Sequence, residues 1–173
     1  MTKSTDIEFP PVETADEDGL LLLGGKLTKA WVLAAYQRGI FPWLLDDAPQ
    51  TPIAWWCPDP RAVMEFDQFR ISRRLARTLR SGQFEVTIDR DFAGVIAGCA
   101  EPREDDGGVW LTEPLQRAFI ELHESGIAHS VEVWEEGVLA GGVYGLALGG
   151  YFSAESMFHR QRDASNVALA QLM

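Results

Sequence analysis

The sequence predicts an α+β fold built on a mostly antiparallel sheet, and three observations lead there. Residues 130–134, 139–148 and 151–158 are β-rich runs in succession, joined by Glu136-Gly137 and Gly149-Gly150. Short Gly-containing connections of this kind are hairpin turns. Helical signals alternate with short extended pieces ahead of this meander, and one more follows it, which is the pattern of α+β. The chain has 173 residues, 46% of them apolar and 24% charged, enough for one substantial core.

Residues 1–18 form a polar N-terminal arm containing Pro10-Pro11, expected to be mobile or loosely docked. Residues 19–25 are an apolar strand or turn bounded by glycines. Thr28 is an N-cap for a helix over 29–38, with Gly39 just past its end. Ala30, Leu33, Ala34 and Gln37 would share its face. Residues 54–56 and 62–66 are short extended pieces around Pro58-Asp59-Pro60. Ser72 caps a helix over 73–80 that stops at Gly82. Residues 84–88 alternate as a strand, and Asp89 or Asp91 opens a helix running to about Cys99.

Residues 102–108 make an acidic loop. Thr112 caps a helix through Glu124, with Pro114 in its first turn and Leu115, Ala118, Phe119 and Leu122 as its buried stripe. Gly141, Gly142 and Gly145 inside the central meander strand predict a bulge or the close approach of another backbone. A last helix begins near Asp163 or Ser165 and carries Val167, Ala168 and Leu172. The third meander strand is left as an open edge.

Several function classes drop out. No apolar run approaches the roughly 20 residues of a membrane-spanning helix. Residues 1–6 lack the basic-then-apolar layout of a secretory signal, so a cytoplasmic protein with no membrane partner is expected. Cys57 and Cys99 have no metal or redox spacing and read as reduced, partly buried thiols. His123, His129 and His159 have no metal-ligand spacing, and His123 falls on a polar helix face where it would be solvated. There is no Walker-type loop or dinucleotide fingerprint. Ser156 and His159 lack a nucleophile elbow and an orienting acid. The pyrophosphate loop of acetyl-CoA-dependent enzymes is also absent, so acetyl-CoA is not expected as a cofactor.

Three features carry chemistry. The net charge of -11 argues against a general nucleic-acid coat, because phosphate contacts need clustered Lys and Arg. Yet Arg61, Arg70, Arg73, Arg74, Arg77 and Arg80 crowd one stretch against only Glu65 and Asp67. From Arg70 on they recur at three- and four-residue intervals, so most share a helix face. A solvated face usually mixes both signs; this one holds no acid and reads as phosphate-binding.

The second feature is Glu155 between Phe152 and Met157. Strand alternation would set Ser153, Glu155 and Met157 on one face and Phe152, Ala154 and Ser156 on the other. A carboxylate amid apolar neighbours needs a partner or a task. An ion pair with Arg160 or Arg162 and a grip on an incoming amine both remain open. The third feature is a set of aromatic signatures: Ala35-Tyr36-Gln37-Arg38-Gly39-Ile40-Phe41-Pro42-Trp43, Trp55-Trp56-Cys57-Pro58-Asp59-Pro60-Arg61 and Ala154-Glu155-Ser156-Met157-Phe158. Rings held beside Pro or Gly suit stacking on an unpaired base, although any one Trp also fits a core or rim position.

In this order and spacing, the signatures resemble the leucyl/phenylalanyl-tRNA–protein transferase family. Gly19-Leu20-Leu21, Asp59-Pro60-Arg61-Ala62-Val63, Ile71-Ser72-Arg73, Gly98-Cys99-Ala100, Val109-Trp110-Leu111-Thr112 and His129-Ser130-Val131-Glu132-Val133-Trp134 extend the match from about Gly19 to Met173. The resemblance implies an acyltransferase-like (GNAT-like) fold with flanking helices plus a small N-terminal α/β domain. The division it implies is an arm over 1–18, a small domain over 19–66 and an acyltransferase-like domain over 67–173, incomplete at its C-terminus.

It also implies an activity: transfer of Leu, Phe or Met from the 3′ end of aminoacyl-tRNA to the N-terminal Arg or Lys of a protein, which marks that protein for N-degron degradation. The tRNA ester is already activated, so the enzyme mainly orients amine and carbonyl and needs no cofactor. A monomer is favoured.

Carried over by motif, Trp43 and Trp110 would hold the terminal adenosine, with Tyr36 nearby. Val143, Phe152 and Met157 would line the pocket for the apolar side chain, Val143 standing where the family often has Met. Arg73, Arg77 and Arg80 would contact acceptor-stem phosphates. Glu155 would bind the acceptor's basic N-terminal residue or α-amine. Family members continue for several tens of residues, with an Asp and a Gln assigned to amine deprotonation. Neither is in this chain, so weak or no transfer is expected. Two competing readings are a non-catalytic module binding aminoacyl-tRNA or basic N-termini, and a peptidoglycan-bridge type aminoacyl-tRNA-dependent ligase, whose signatures differ from these.

Overall fold

A computed structural model describes residues 7–43, 51–102 and 111–173. The chain divides into two compact units, Met1–Ala62 with Arg103–Ala118, and Val63–Pro102 with Phe119–Met173.

The first unit holds β1 (Leu20–Leu23), α1 (Lys29–Tyr36), β2 (Phe41–Pro42) and β3 (Ala54–Trp56). β3 runs antiparallel between the other two strands. The Thr28 hydroxyl caps α1, accepting from the Trp31 N–H at 3.4 Å. The buried stripe of α1 is Val32, Ala35 and Tyr36; Ala30 and Gln37 of the expected face are exposed. Both sets satisfy helical spacing, and the face with the larger apolar side chains took the core.

The centre of this unit is aromatic. Trp55 is fully buried, its indole N–H donates to the Gly24 carbonyl at 2.8 Å, and Phe9 stands edge-on to Trp31 and Trp55 at 5.4 and 5.1 Å. The expected loose arm is therefore docked from Phe9 onward. Phe9 is buried, and the Arg38 guanidinium donates to the carbonyls of Phe9 and Pro10 at 3.0 and 3.3 Å. Burying one such ring contributes ~1.5–3 kcal/mol, comparable with the backbone ordering of one or two residues.

The second unit is built on a four-stranded antiparallel sheet, β4 (Glu85–Ile88), β5 (Ala128–Glu135), β6 (Val138–Leu148) and β7 (Tyr151–His159), in that spatial order. The meander is as expected, with Glu136 and Gly137 both at positive φ in the first turn, as a tight hairpin requires. β7 is an edge of this sheet. Among the described residues, 62–66 pair with no strand: they are exposed, and a 3-10 turn begins at Phe66 and runs to Gln68.

The helices of this unit are α2 (Arg73–Arg80), α3 (Phe92–Cys99) and α5 (Ala164–Leu172); α4 (Glu113–Glu124) crosses from one unit to the other. Ser72 caps α2, and Asp91 rather than Asp89 caps α3, accepting from the Gly94 N–H at 2.9 Å. The Thr112 carbonyl accepts the first bond of α4, but the Thr112 hydroxyl is buried and makes no bond among the described residues, so the expected side-chain cap does not form. Leu115, Ala118, Phe119 and Leu122 are all buried, as expected.

The sheet is covered on both faces. On one, Val131, Val133, Ala140 and Val143 pack against Leu75 of α2 and Ala164, Val167 and Ala168 of α5. On the other lies α3. Glycines allow both approaches: a Cβ on Gly141 would stand 2.8 Å from the Ala164 Cβ, and one on Gly142 would stand 2.9 Å from a Val95 methyl. These are the close approaches that the glycines of β6 led one to expect.

Candidate active site

The edge strand β7 does not alternate uniformly. Tyr144 opposes Ser156, but Gly145 opposes Ala154, so Glu155 is the extra residue of β7 at this point in the ladder. This is a β-bulge, and it resets which face each later side chain occupies. Met157 opposes Val143 and Phe152 opposes Ala147, so Val143, Phe152 and Met157 share the sheet face that carries α5. Simple alternation would have split Phe152 from Met157. The expected grouping of Met157 with Ser153 is thus corrected: Ser153 is buried on the α3 face, whereas Met157 is 42% exposed on the other. Gly145 also matters here, because a Cβ there would fall 2.5 Å from the Phe152 ring and 2.1 Å from the Ser153 carbonyl oxygen.

Glu155 is half-buried at the bulge, and one of its oxygens accepts from the Ser153 hydroxyl at 2.7 Å. Arg160, one of the two partners considered for it, instead binds Glu101 and the Leu139 carbonyl. Beside Glu155 lies Tyr144, fully buried, with its ring edge-on to Phe92 and Phe119 at 5.9 and 5.2 Å. Its hydroxyl has no hydrogen-bond partner among the described residues. Burial first, then the charges of Glu155 and Cys99, hold the phenol well above its ordinary pKa. Tyr144 is therefore a neutral donor kept close to a carboxylate. Ser156 and His159 do not form a nucleophile–base pair: three apart on β7 beyond the bulge, they project to opposite faces.

On α2, Leu75 is buried while Arg73, Arg77 and Arg80 are exposed. At about 100° per residue, these three fall within about 60° of one another and opposite Leu75. No acid pairs with them among the described residues. Arg74, off this stripe, pairs with Asp163 at 2.8 Å.

In the first unit, Trp43 is 47% exposed; its backbone N–H donates to the Ala54 carbonyl at 2.9 Å, and its own carbonyl accepts from the Trp56 indole at 3.2 Å. Tyr36 is buried. Trp110 lies outside the described residues.

Two family models match the chain. One, described as leucyl/phenylalanyl-tRNA protein transferase, covers residues 63–173; the other, its N-terminal domain, covers 25–59. The chain belongs to the leucyl/phenylalanyl-tRNA protein transferase family. The protein of that name from Aromatoleum aromaticum is 58% identical over 167 residues, spanning 95% of this chain and 69% of the relative. That from Azoarcus sp. is 55% identical over 166 residues, spanning 95% and 69%. That from Stutzerimonas stutzeri is 49% identical over 173 residues, spanning 99% and 75%.

This member of the family carries two polar clusters that sequence reasoning missed. Glu132 is fully buried yet accepts three hydrogen bonds: from the Thr87 hydroxyl at 2.6 Å, the Arg90 N–H at 3.2 Å and the Ser130 hydroxyl. His129 Nδ1 lies 2.7 Å from an Asp89 oxygen. His123, expected to be solvated, is stacked on Phe92 at 4.2 Å, and its Nδ1 donates to the Ala128 carbonyl at 2.9 Å. Ser130 and Glu132 alternate with valines and so read as a solvent-facing row; only the docking of α3 turns that face inward. Asp89 and His129 stand 40 residues apart in the chain, with no local signal to find them.

Proposed function

We propose that this chain moves Leu, Phe or Met from the 3′ end of aminoacyl-tRNA to the N-terminal Arg or Lys of an acceptor protein, marking it for degradation. The observation that carries this reading is family membership over nearly the whole chain. It is supported by the bulge at Glu155, which sets apolar Val143, Phe152 and Met157 on one face of the sheet. In the reaction, the acceptor α-amine attacks the ester carbonyl carbon. The new C–N bond replaces the C–O bond to the tRNA ribose, the ribose oxygen takes a proton, and the amine loses one. The ester is already activated, so positioning supplies most of the catalysis.

In this reading Glu155 holds the cationic N-terminal residue or α-amine of the acceptor. Val143, Phe152 and Met157 hold the donor side chain, and Val143 shapes the depth of that pocket. Exposed Trp43, with Trp110, stacks on the terminal adenosine near Tyr36. Arg73, Arg77 and Arg80 contact the acceptor-stem phosphates. The finer fold assignment is acyltransferase-like, supported by the antiparallel sheet flanked by helices and broken by a bulge on its edge strand. A boundary near residues 62–66 between a small N-terminal domain and an acyltransferase-like domain is supported by the matches to 25–59 and 63–173. The protein acts in the cytoplasm, as a monomer and without a cofactor.

The test is transfer of labelled Phe from Phe-tRNA to a protein beginning with Arg, against the same protein beginning with Ala. Weak transfer, to the Arg protein alone, is expected. Binding of Phe-tRNA without transfer would replace this reading with that of a binding module, and the absence of both would overturn the two together.

A further inference from the structure

We propose that a cleft at the start of α5 is a second contact for the RNA backbone, distinct from the arginine stripe of α2. This rests on the aminoacyl-tRNA reading above. The cleft has a volume of about 420 Å³ and is lined by Arg74, His159, Arg160, Arg162, Asp163, Ser165 and Asn166. Three arginines thus face one carboxylate in a chain whose net charge is -11, and that carboxylate is already engaged. Asp163 is nearly buried and bonded to Arg74 at 2.8 Å, while Arg74 remains half-exposed. Arg160 is held from behind by Glu101 and the Leu139 carbonyl, with its guanidinium 5.1 Å over the Phe158 ring. A guanidinium has five N–H donors, so these contacts fix the direction of Arg160 and leave donors to spare.

Arg162 is exposed and forms no ion pair among the described residues. Ser165 and Asn166 add a hydroxyl and an amide to the rim. Fixed guanidinium forks match phosphate oxygens better than point charges do. The cleft also joins the basic stripe through sequence: Arg74 lines it, and Arg73, Arg77 and Arg80 on the same helix carry the exposed stripe. A polyanion that follows α2 can therefore continue to α5, which favours an RNA backbone over an isolated small anion.

The experiment is binding of labelled tRNA to the full chain by fluorescence anisotropy across a salt series. It compares wild type with Arg162→Ala, Arg162→Lys and the control Arg117→Ala. Arg117 is an exposed helix residue paired with Glu113 and lies on the other unit. Arg162→Ala should weaken binding and reduce the slope of log K against log salt by about 1, the signature of one lost phosphate contact. Arg162→Lys should keep most of the slope, and Arg117→Ala should change neither quantity. Arg162 is exposed and forms no ion pair or hydrogen bond among the described residues, so its variants should melt like wild type.

Wild-type slope and affinity in Arg162→Ala, while the parent binds tRNA, would overturn this inference alone. Failure of the parent to bind tRNA would remove the RNA reading and this inference with it. An Arg162-dependent site that prefers an acidic peptide to tRNA would reassign the cleft and also overturn the proposal.

Discussion

Two glutamates on the same sheet have opposite surroundings. Glu132, on interior strand β5, is sealed from solvent, and three donors converge on it. Glu155, on edge strand β7, sits half-exposed at a bulge, where the Ser153 hydroxyl donates to it. A buried carboxylate is tolerable only when donors replace its lost hydration, and Glu132 is paid for in that way by its own fold. At Glu155 the ladder is broken instead, and the break aims Met157 to the side of Val143 and Phe152. The lesson is that burial of a charge marks structural work here, whereas the functional candidate is the charge whose strand gave up regularity.

The sharpest way to break this contrast is Glu132→Ala. It strands the Thr87, Ser130 and Arg90 donors, and a loss of ~3 kcal/mol or more is expected, read as a lower denaturation midpoint. An unchanged midpoint would show that water replaces the carboxylate and that the site is not sealed. Gly145→Ala comes next. The new methyl meets the Ser153 carbonyl and the Phe152 ring, with an expected cost of ~1–3 kcal/mol. Because the carbonyl belongs to the bulge, the proposed donor pocket should be disturbed as well, seen as a raised KM for Phe-tRNA.

Tyr144→Phe should have the smallest effect on stability and could raise it by up to ~1 kcal/mol, since it removes a buried hydroxyl with no partner. It also has a pH signature. The folded-state pKa is raised, so the neutral phenol stabilises the fold fully below the unfolded value of about 10, and that stability is lost as pH rises above it. Wild type should therefore lose stability above about pH 10 more steeply than Tyr144→Phe. Parallel curves would show that Tyr144 is not the group responsible.

Much of this contrast was hidden in the sequence for a physical reason. What depends on neighbours along the chain was legible: the Thr28 and Ser72 caps, the Glu136-Gly137 hairpin, the buried stripe of α4 and the exposed stripe of Arg73, Arg77 and Arg80. What depends on partners far along the chain was not. Phe9 finds Trp31 and Trp55 only once the first unit folds, and the face that α1 buries is chosen by its neighbours rather than by its own spacing. The bulge at Glu155 is a property of two strands in register, so counting along β7 alone put Met157 on the wrong side. The aromatic signatures identified the family before any geometry was known, but Trp55 turned out to be core and Trp43 exposed, a division their shared composition did not reveal.

The most direct test is to measure, on one preparation of Glu155→Gln, both the denaturation midpoint and the transfer of labelled Phe to an Arg-starting protein. The account predicts a midpoint within about 1 kcal/mol of wild type and a transfer rate at least tenfold lower. A variant that transfers at the wild-type rate, or that unfolds as Glu132→Ala does, would contradict the assignment of function to the bulged edge.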